Sequence, residues 1–479
     1  MARFDALVQS ATQRATMTKH ARGPALALFS ILWLALTAWV VLSHRVSADP
    51  PDRFGDPSTA QEPPPQPSVW QRLRSGVHGA LGKSSDADRA AVRGAVASLG
   101  VSEWHKAGLT GKGVKVAVLD TGFRGYRSAL GVVLPDSVGV KSFRKDGLLD
   151  ARESQHGILC GEIIHHIAPS SEMIFANWEA EQPAAFLDAV GWARQQGARI
   201  ISCSVIMPTW SDGEGGGAVH EQLRLALGKG DKTSDCLLFA SAGNTALRTW
   251  SGPCAPDAHG WHQWTRGHVE NAIRPLSSER ISVEVTNPGD TGYAMLILDT
   301  TKPQEVARAK SLRVEGSMVA VVRFEPVSGH RYAIKLRPLD ESKGKSGSFH
   351  LTVLGGKLGT ATKAGSIPFP ADGSDVVALG AVDERGRRHS YSSCGPVAGS
   401  LKPDLAATVP FPSLWRPDQP FSGTSAASPQ AAGLAALIWS RHPTWTANQV
   451  RAELSKSAKR TGSAHSTETG YGTIRMPAS

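Results

Sequence analysis

Four polar residues lie at the ends of apolar stretches and are of types that hydrolytic enzymes use: Asp120, His156, Asn244 and Ser425. A carboxylate can orient an imidazole, which then takes the proton of a serine hydroxyl that attacks a carbonyl carbon. A side-chain amide can donate a hydrogen bond to the resulting oxyanion. Each residue alone is more often structural. Together, the chain order Asp, His, Ser is one of the known orders of the serine triad.

The stretch around Ser425, FSGTSAASPQAAG, has two interpretations. Small residues allow a helix to pack closely in a core, and that arrangement needs no chemistry. A serine on a tight turn at the start of a helix also has an exposed hydroxyl with backbone N–H groups beside it, as a nucleophile with an oxyanion site requires. Pro429 is expected at an early position of that helix, where its missing N–H has little cost.

The elements that would position these residues follow an alternating order. Apolar runs lie at 114–120, 171–177, 198–205 and 236–244, and the helical patterns HGILCGEIIHHI and PAAFLDAVGWARQQG fall between them. This alternation predicts an α/β fold with a doubly wound parallel sheet that helices cover on both faces. Asp120 would then lie at the carboxyl end of a strand, which is the functional edge of such a sheet.

A different sequence pattern interrupts this alternation of strands and helices between about 262 and 356. Short runs such as RISVEVTN and YAMLILD alternate apolar and polar residues, and turns separate them, which predicts an all-β, sandwich-like insert. The stretch HGWHQWTRGH at 259–268 is interpreted as a surface loop entering the insert rather than as a metal site. The sequence predicts five parts. A signal anchor or signal peptide at 1–48 precedes a proline-rich spacer at 49–99, which has a short helix near 86–98. The first catalytic part at 100–260 is followed by the insert at 261–358 and the second catalytic part at 359–475.

Longer motifs resemble the subtilisin-like serine peptidases (subtilases, peptidase family S8) over about half of the chain. They are GKGVKVAVLDTG, ASAGN, VVALGAVDERGRRHSYSSCGP, KPDLAA and SGTSAASPQAAGLAALI. The resemblance implies a sheet of the subtilisin type and serine endopeptidase activity. It implies that Asp120 orients His156, and that His156 takes the proton of Ser425. It also implies that Asn244 and the backbone N–H of Ser425 hold the oxyanion.

The same resemblance assigns the substrate-binding edge to Ser204, Val205 and Ile206, within a stretch that departs from the family pattern. Ser202 replaces the usual Asn and Ile206 replaces Gly, whereas Ser204 matches. Because glycine leaves the primary pocket open, we hypothesise that Ile206 restricts the residue before the scissile bond to small side chains. Two further departures supply no catalytic proton and are expected to be tolerated: Ile158 in place of Thr and Ala426 in place of Met.

The N-terminal region predicts export. Residues 24–43 form an apolar stretch long enough to cross a bilayer as a helix, and basic residues precede it. The end VSA before Asp49 also resembles a signal-peptidase site, so the sequence fits both an uncleaved membrane anchor and secretion after cleavage near Ala48. Both predict an extracytoplasmic protein. The net charge of +10 is spread without a long basic run, so no nucleic-acid partner is predicted.

The five cysteines include no CxxC pair and no metal-finger spacing, so the sequence predicts no zinc site. No catalytic metal and no cofactor are predicted. A structural calcium ion is compatible with the resemblance, but no calcium loop is unambiguous in the sequence. Cys160 and Cys203 are interpreted as core thiols, and Cys236 and Cys254 are candidates for a disulfide.

The predicted function is an exported serine endopeptidase that hydrolyses a polypeptide substrate through an acyl-enzyme. The alternative is a catalytically impaired binding protein of the same fold, whose β-insert binds an unknown partner. The presence of all four chemical residues argues for activity, and the changed substrate edge leaves room for the alternative. An esterase of the α/β-hydrolase type is excluded, because that class has Ser before Asp and His in the chain and a G-x-S-x-G motif.

Overall fold

The computed structural model describes residues 84–150, 154–179, 181–276, 280–314, 316–339, 347–396, 401–460, 462 and 464–477. The predicted signal segment at 24–43 and the proline-rich stretch at 49–68 lie outside these residues. A helix, Asp86–Ser98, occupies the position predicted for the short polar helix, and it begins with a capping box between Ser85 and Asp88. Within the described ranges, no helix is long and apolar enough to cross a membrane.

The strands and helices are numbered here in chain order. The strands are β1 (Lys115–Leu119), β2 (Gly139–Phe143), β3 (Glu172–Trp178), β4 (Ile200–Cys203), β5 (Leu237–Ser241), β6 (Thr249–Pro253), β7 (Asn271–Pro275), β8 (Ile281–Asn287), β9 (Tyr293–Asp299), β10 (Gln304–Lys310), β11 (Leu312–Val314), β12 (Ser317–Phe324), β13 (Tyr332–Pro338), β14 (Ser348–Leu354), β15 (Gly356–Leu358), β16 (Val376–Val382) and β17 (Leu405–Thr408). The helices are α1 (Asp86–Ser98), α2 (Ser102–Lys106), α3 (Tyr126–Ala129), α4 (His156–Ile167), α5 (Pro183–Gln195), α6 (Ala218–Leu227), α7 (Thr424–Arg441) and α8 (Ala447–Ser457).

A seven-stranded sheet with the order β17-β16-β5-β4-β1-β3-β2 forms the centre of the fold. Its strand pairs are parallel. The inner strands β4, β5 and β16 are buried at every residue, because side chains on both faces of the sheet lie under helices. That burial explains why these strands have continuous apolar sequences instead of an alternating pattern.

Helices cover both faces of this sheet, as the alternating sequence pattern predicts. On one face, α4 and α7 pack against each other and share a core cluster with the strands. On the other face, α5 and α6 share a second cluster with the same strands. The fold is therefore the doubly wound α/β type, and α4 and α7 are the two helices that begin with predicted catalytic residues.

An all-β insert interrupts the α/β part between β5 and β16. It consists of two five-stranded sheets with the orders β10-β9-β13-β7-β15 and β11-β12-β8-β14-β6, and their side chains form one shared core. The pairs are antiparallel. The insert sheets begin at Thr249, earlier than the predicted residue 261, because β6 pairs with β14. β6 is too short to show a clear alternation in sequence.

The strands β8 and β9 differ in burial although both come from alternating sequences. β9 alternates buried and half-buried residues, whereas β8 is buried along its whole length. The polar residues of β8 that would face solvent, Ser282, Glu284 and Thr286, are covered. A short 3-10 turn, Pro208–Trp210, packs against β8. Since this turn follows the predicted substrate-binding edge, the insert supports the segment that continues from that edge.

The stretch HGWHQWTRGH is more than the predicted surface loop, because two of its side chains belong to the core of the insert. His262 and Trp264 are buried, and the rings of Trp250 and Phe349 contact both of them. Burial lowers the pKa of His262 to about 4. The imidazole is therefore neutral at physiological pH and packs as an aromatic ring.

The candidate disulfide between Cys236 and Cys254 does not form. Cys236 remains a thiol, and it donates a hydrogen bond to the carbonyl oxygen of Ala198 at 3.0 Å. Cys203 is fully buried, as predicted for a core thiol. Burial raises the pKa of Cys236 to about 11, so this side chain is neutral at physiological pH.

Candidate active site

The residues predicted to act in catalysis lie near the carboxyl edge of the parallel sheet. Asp120 follows β1, Ser204 follows β4 and Asn244 comes shortly after β5, and these three strands are neighbours in the sheet. His156 begins α4, and Ser425 lies in the first turn of α7. Residues that are far apart in sequence therefore come together where the fold class predicts a functional site.

Asp120 and His156 form a direct hydrogen bond. Oδ2 of Asp120 lies 2.7 Å from Nδ1 of His156, and the carboxylate is fully buried. Its other oxygen, Oδ1, accepts the backbone N–H groups of Thr121 and Gly122 at 2.8 and 3.0 Å. Because a carboxylate only accepts hydrogen bonds, Nδ1 carries the hydrogen, and Nε2 is left as the basic nitrogen.

Two glycines make this contact sterically feasible. A Cβ at Gly122 would lie 2.3 Å from Oγ of Ser154, and a Cβ at Gly157 would lie 2.5 Å from the ring of Phe123. The N–H of Gly157 also donates to the carbonyl of Gly122 at 2.7 Å, which ties the start of α4 to the turn after β1. The motifs Asp-Thr-Gly and His-Gly therefore pack directly against each other.

The imidazole of His156 has two ionisable neighbours. Burial lowers the pKa of His156, but several other interactions, led by the charge of the facing Asp120 carboxylate, together outweigh that effect and hold the pKa above its ordinary value. Cys160 lies one helical turn after His156, and burial raises the pKa of this thiol, so it is neutral. The i,i+4 spacing on α4 is the sequence signal that would have placed Cys160 in the site.

Within the described residues, one group of side chains of metal-ligating types lies close enough together to share a metal ion. It consists of Asp120, His156 and Cys160. Their candidate ligand atoms lie within 4.8 Å of one another. The hydrogen bond between the carboxylate and the imidazole already uses one atom of each group. The arrangement is therefore that of an oriented base with a neutral thiol beside it.

Side chains of the site, rather than α7 itself, hold the carbonyl group of Ser425. Pro429 lies four positions later, inside α7 instead of at the predicted early position, and it has no N–H to donate to this carbonyl. The hydroxyl of Ser204 donates to the Ser425 carbonyl at 3.2 Å, and the thiol of Cys160 donates to it at 3.8 Å. The hydroxyl of Ser425 itself lies 3.5 Å from the carbonyl oxygen of Ser204.

The side-chain amide of Asn244 is fixed by the residue before the predicted nucleophile. Its Oδ1 accepts the backbone N–H of Thr424 at 3.0 Å and the Thr424 hydroxyl at 3.1 Å. The Nδ2 end would lie 2.8 Å from a Cβ at Gly423, so only a glycine fits there. With its oxygen occupied, the amide offers N–H donors beside the N-terminus of α7, where negative charge is favoured.

The predicted substrate-binding residues continue from the end of β4. Ser204 is buried, and its hydroxyl donates to the carbonyl of Ser425 as described above. Val205 and Ile206 are half-buried. The next residue, Met207, donates its backbone N–H to the carbonyl of Phe369 at 3.0 Å, so this edge is tied to the segment before β16.

Three residues that depart from the family pattern are packing positions. Ile158 and Ala426 are fully buried in the core cluster that α4 and α7 share. Ser202 is buried within β4, and its hydroxyl has no hydrogen-bond partner among the described residues. The side chains of Ile158 and Ala426 thus pack in the core, and the side chain of Ser202 is covered within the sheet.

Known proteins share this fold and these motifs. The subtilase family, peptidase family S8, matches residues 111–472. A subtilisin from Bacillus pumilus is 29% identical over 201 residues, which cover 41% of this chain and 70% of that protein. Subtilisin DY from Bacillus licheniformis is 39% identical over 107 residues, which cover 22% of this chain and 38% of that protein. The solved structure of the CspB protease of Clostridium perfringens has a TM-score of 0.56 and 16% identity, and the match covers 78% of this chain and 94% of that one.

The fold and the matching motifs define the class of serine-type endopeptidases. The chain belongs to the subtilase family. The alignments with several other subtilisins, including subtilisin J from Geobacillus stearothermophilus, span 49% of those proteins.

Proposed function

We propose that this protein is an exported serine endopeptidase that hydrolyses peptide bonds through a triad of Asp120, His156 and Ser425. The observation that carries the proposal is the 2.7 Å hydrogen bond between the buried Asp120 carboxylate and Nδ1 of His156. This bond leaves Nε2 as a base at the edge where the helix of Ser425 begins. The contact between Asn244 and Thr424 supports an oxyanion site beside the same serine.

In the acylation step, Oγ of Ser425 attacks the scissile carbonyl carbon while Nε2 of His156 takes its proton. Nδ2 of Asn244 and the backbone N–H of Ser425 stabilise the negative charge on the carbonyl oxygen. Asp120 stabilises the positive imidazolium. When the carbon–nitrogen bond breaks, His156 gives the proton to the leaving amine, and an ester on Ser425 remains.

In the deacylation step, a water molecule takes the place of the leaving amine. His156 accepts a proton from this water as its oxygen attacks the ester carbon, and the same oxyanion donors stabilise the second tetrahedral intermediate. Collapse of the intermediate releases the carboxylic acid and returns the proton to Ser425. No proton is gained or lost by the protein over the cycle.

The direct test is labelling of the full chain with a tagged fluorophosphonate, which reacts with activated serines. Wild-type protein is expected to be labelled, and Ser425→Ala and His156→Ala are expected to abolish labelling. A folded wild-type protein that resists the reagent and cleaves no peptide would support the alternative, a binding protein that acts through its β-insert.

We also propose a polypeptide substrate with a small residue before the scissile bond. The support is the branched side chain of Ile206, half-buried where the family usually has glycine. Profiling on a peptide library is expected to show cleavage after Ala, Gly or Ser, and Ile206→Gly is expected to admit larger residues. Equal cleavage after large aromatic residues by the wild-type protein would contradict the assignment.

We propose an extracytoplasmic location, with residues 24–43 as a membrane anchor or a signal removed near Ala48. The support is the apolar stretch and its basic flank. Cell fractionation combined with the mass of the mature protein distinguishes the two forms. Recovery of the intact chain from the cytoplasm would contradict both.

A further inference from the structure

Residues 409–423 connect β17 to α7, whose first turn contains the proposed nucleophile Ser425. The two ends of this connection are tied together, because Phe411 and Phe421 exchange backbone hydrogen bonds of 2.7 and 2.8 Å. The residues between them form a closed loop, called here the 411–421 loop. It ends directly before the turn that contains Ser425, so its position affects the active site.

Glu162 on α4 fastens this loop. Its side chain is 1% exposed. It accepts the hydroxyl of Ser413 at 2.5 Å and the backbone N–H groups of Leu414 and Trp415 at 2.6 and 3.1 Å. A buried carboxylate is costly unless it is hydrogen-bonded, and bonds to a charged acceptor are stronger than neutral ones. Glu162 therefore holds the loop firmly against the helix that carries His156.

A second contact ties the loop to the start of the same helix. The guanidinium of Arg416 donates to Oε1 of Gln155 at 2.9 and 3.1 Å, and Gln155 is the residue directly before His156. The backbone N–H of Arg416 donates to Oγ of Ser413 at 2.9 Å, so Ser413 joins the two contacts. The loop thus bridges two points of α4.

The end of the fastened loop packs on the proposed general base. The ring of Phe421 lies edge-to-face with the imidazole of His156, with centroids 5.3 Å apart and planes at 86°. Aromatic rings in this geometry attract each other and limit each other's rotation. Moving the loop would therefore free one side of the imidazole.

We propose that Glu162 is a positioning residue for catalysis. It acts through the 411–421 loop, which holds Phe421 against His156 and so keeps the imidazole in the orientation that its hydrogen bond to Asp120 sets. The inference rests on the proposed function, in which His156 is the base. Glu162 touches no reacting atom, so its loss should impair the chemical step more than substrate binding.

The test compares Glu162→Ala and Glu162→Gln in the full chain, with a chromogenic peptide that has alanine before the scissile bond. Glu162→Ala is expected to lower kcat by about 10- to 100-fold with KM nearly unchanged, as small misplacements of catalytic groups do. Glu162→Gln is expected to recover most of this loss. Its amide oxygen can accept from Leu414 and Trp415, and its NH₂ group can donate to Ser413.

Ser171→Ala is the matched control. Ser171 is also buried, and its hydroxyl donates to the carbonyl of Ala168 at the end of α4, away from the loop. This variant is expected to lose some thermal stability and to keep wild-type kcat. A Glu162→Ala variant with wild-type kcat would overturn the inference, as would equal losses of kcat in Glu162→Ala and Ser171→Ala.

Arg416→Ala keeps the inference testable if Glu162→Ala does not fold. It removes the contact with Gln155 and leaves the buried carboxylate satisfied, so a smaller loss of kcat in the same direction is expected. Unchanged kcat in this variant would then overturn the inference. An inactive wild-type protein would instead refute the proposed function itself, and this inference with it.

Discussion

Asp404 in the α/β part and Glu284 in the β-insert are both buried, but their surroundings differ. In the α/β part, Asp404 lies between two cations, with Oδ2 at 2.8 Å from Nζ of the buried Lys402 and Oδ1 against the guanidinium of Arg451. On β8 of the insert, Glu284 accepts a hydrogen bond from Ser282 at 2.8 Å, and no cation contacts it within the described residues. Arg323, a cation whose charge lowers the pKa of Glu284, pairs with Glu181.

The two environments shift the pKa values of these carboxyl groups in opposite directions. Burial raises the pKa of Asp404, but the charges of Lys402 and Arg451 outweigh that effect and leave the pKa below its ordinary value. Burial raises the pKa of Glu284, and the hydrogen bond from Ser282 does not cancel the rise. Two cations therefore hold Asp404 as a charged group, whereas the surroundings of Glu284 favour its neutral form.

The largest expected effect concerns Asp120, whose charge acts on the proposed base. Asp120→Asn should lower kcat by about 10⁴-fold, because an amide can hold the wrong tautomer of His156. The pKa of His156 should fall, since burial remains and the opposing charge is gone, so the acid limb of the pH–rate profile should move to lower pH. A pH series of kcat on a peptide substrate measures both effects, and wild-type kcat in this variant would contradict the triad.

The second effect is on stability rather than catalysis. Asp404→Asn should lower the free energy of unfolding by about 3–5 kcal/mol at neutral pH, because it leaves Lys402 buried without its counter-ion. The carboxyl pKa of Asp404 is lowered in the folded state, so its contribution is present at neutral pH and is lost as the pH falls through that lowered value. Urea unfolding at several pH values should show the two proteins converging in acid. A constant difference at all pH values would show that charge is not the cause.

Much of the fold could be predicted from the sequence because buried parallel strands have continuous apolar runs. The runs that end at Asp120 and Asn244 predicted strand ends, and strand ends of such a sheet share one edge. The insert was recognisable from alternation, but β6 at Thr249–Pro253 was not, since a strand of that length has no clear period. The covered polar face of β8 was also unpredictable, because the turn Pro208–Trp210 that covers it is distant in sequence.

The site was predictable only as far as local motifs describe it. The types and order of Asp120, His156 and Ser425 carry a chemical meaning of their own. The partners that support them come from remote segments, as with the loop residues that bind Glu162 far from it in sequence. A glutamate in an apolar helix gives no sign of such partners. For the same reason, the sequence around Pro429 does not predict which donors bind the Ser425 carbonyl in place of the missing N–H.

A third prediction tests how closely the insert and the α/β part fit together. Gly213 has a φ of 84°, and a Cβ there would lie 2.4 Å from the ring of His350 on β14. Gly213→Ala should therefore lower the free energy of unfolding by about 1–3 kcal/mol through overpacking at this contact. Gly267→Ala is the control, because Gly267 has a similar φ of 80° but a Cβ there meets no heavy atom within 4 Å. In denaturant unfolding, the control should lose only the backbone strain of about 1–2 kcal/mol, and Gly213→Ala should lose more. Similar losses in both variants would refute the close fit.

The smallest expected effect distinguishes Glu284 from Asp404 by its sign. Glu284→Gln should change the free energy of unfolding by about 1 kcal/mol or less in acid, where both side chains are neutral and Ser282 can still donate. A carboxyl pKa raised in the folded state contributes stability that is present below the unfolded pKa and is lost as the pH rises to the folded value. The wild-type protein should therefore lose stability relative to Glu284→Gln as the pH rises, which is opposite to the comparison at Asp404. Unfolding curves of both pairs over one pH series measure the contrast, and a Glu284→Gln protein that becomes relatively less stable with rising pH would show that Glu284 is held by a cation after all.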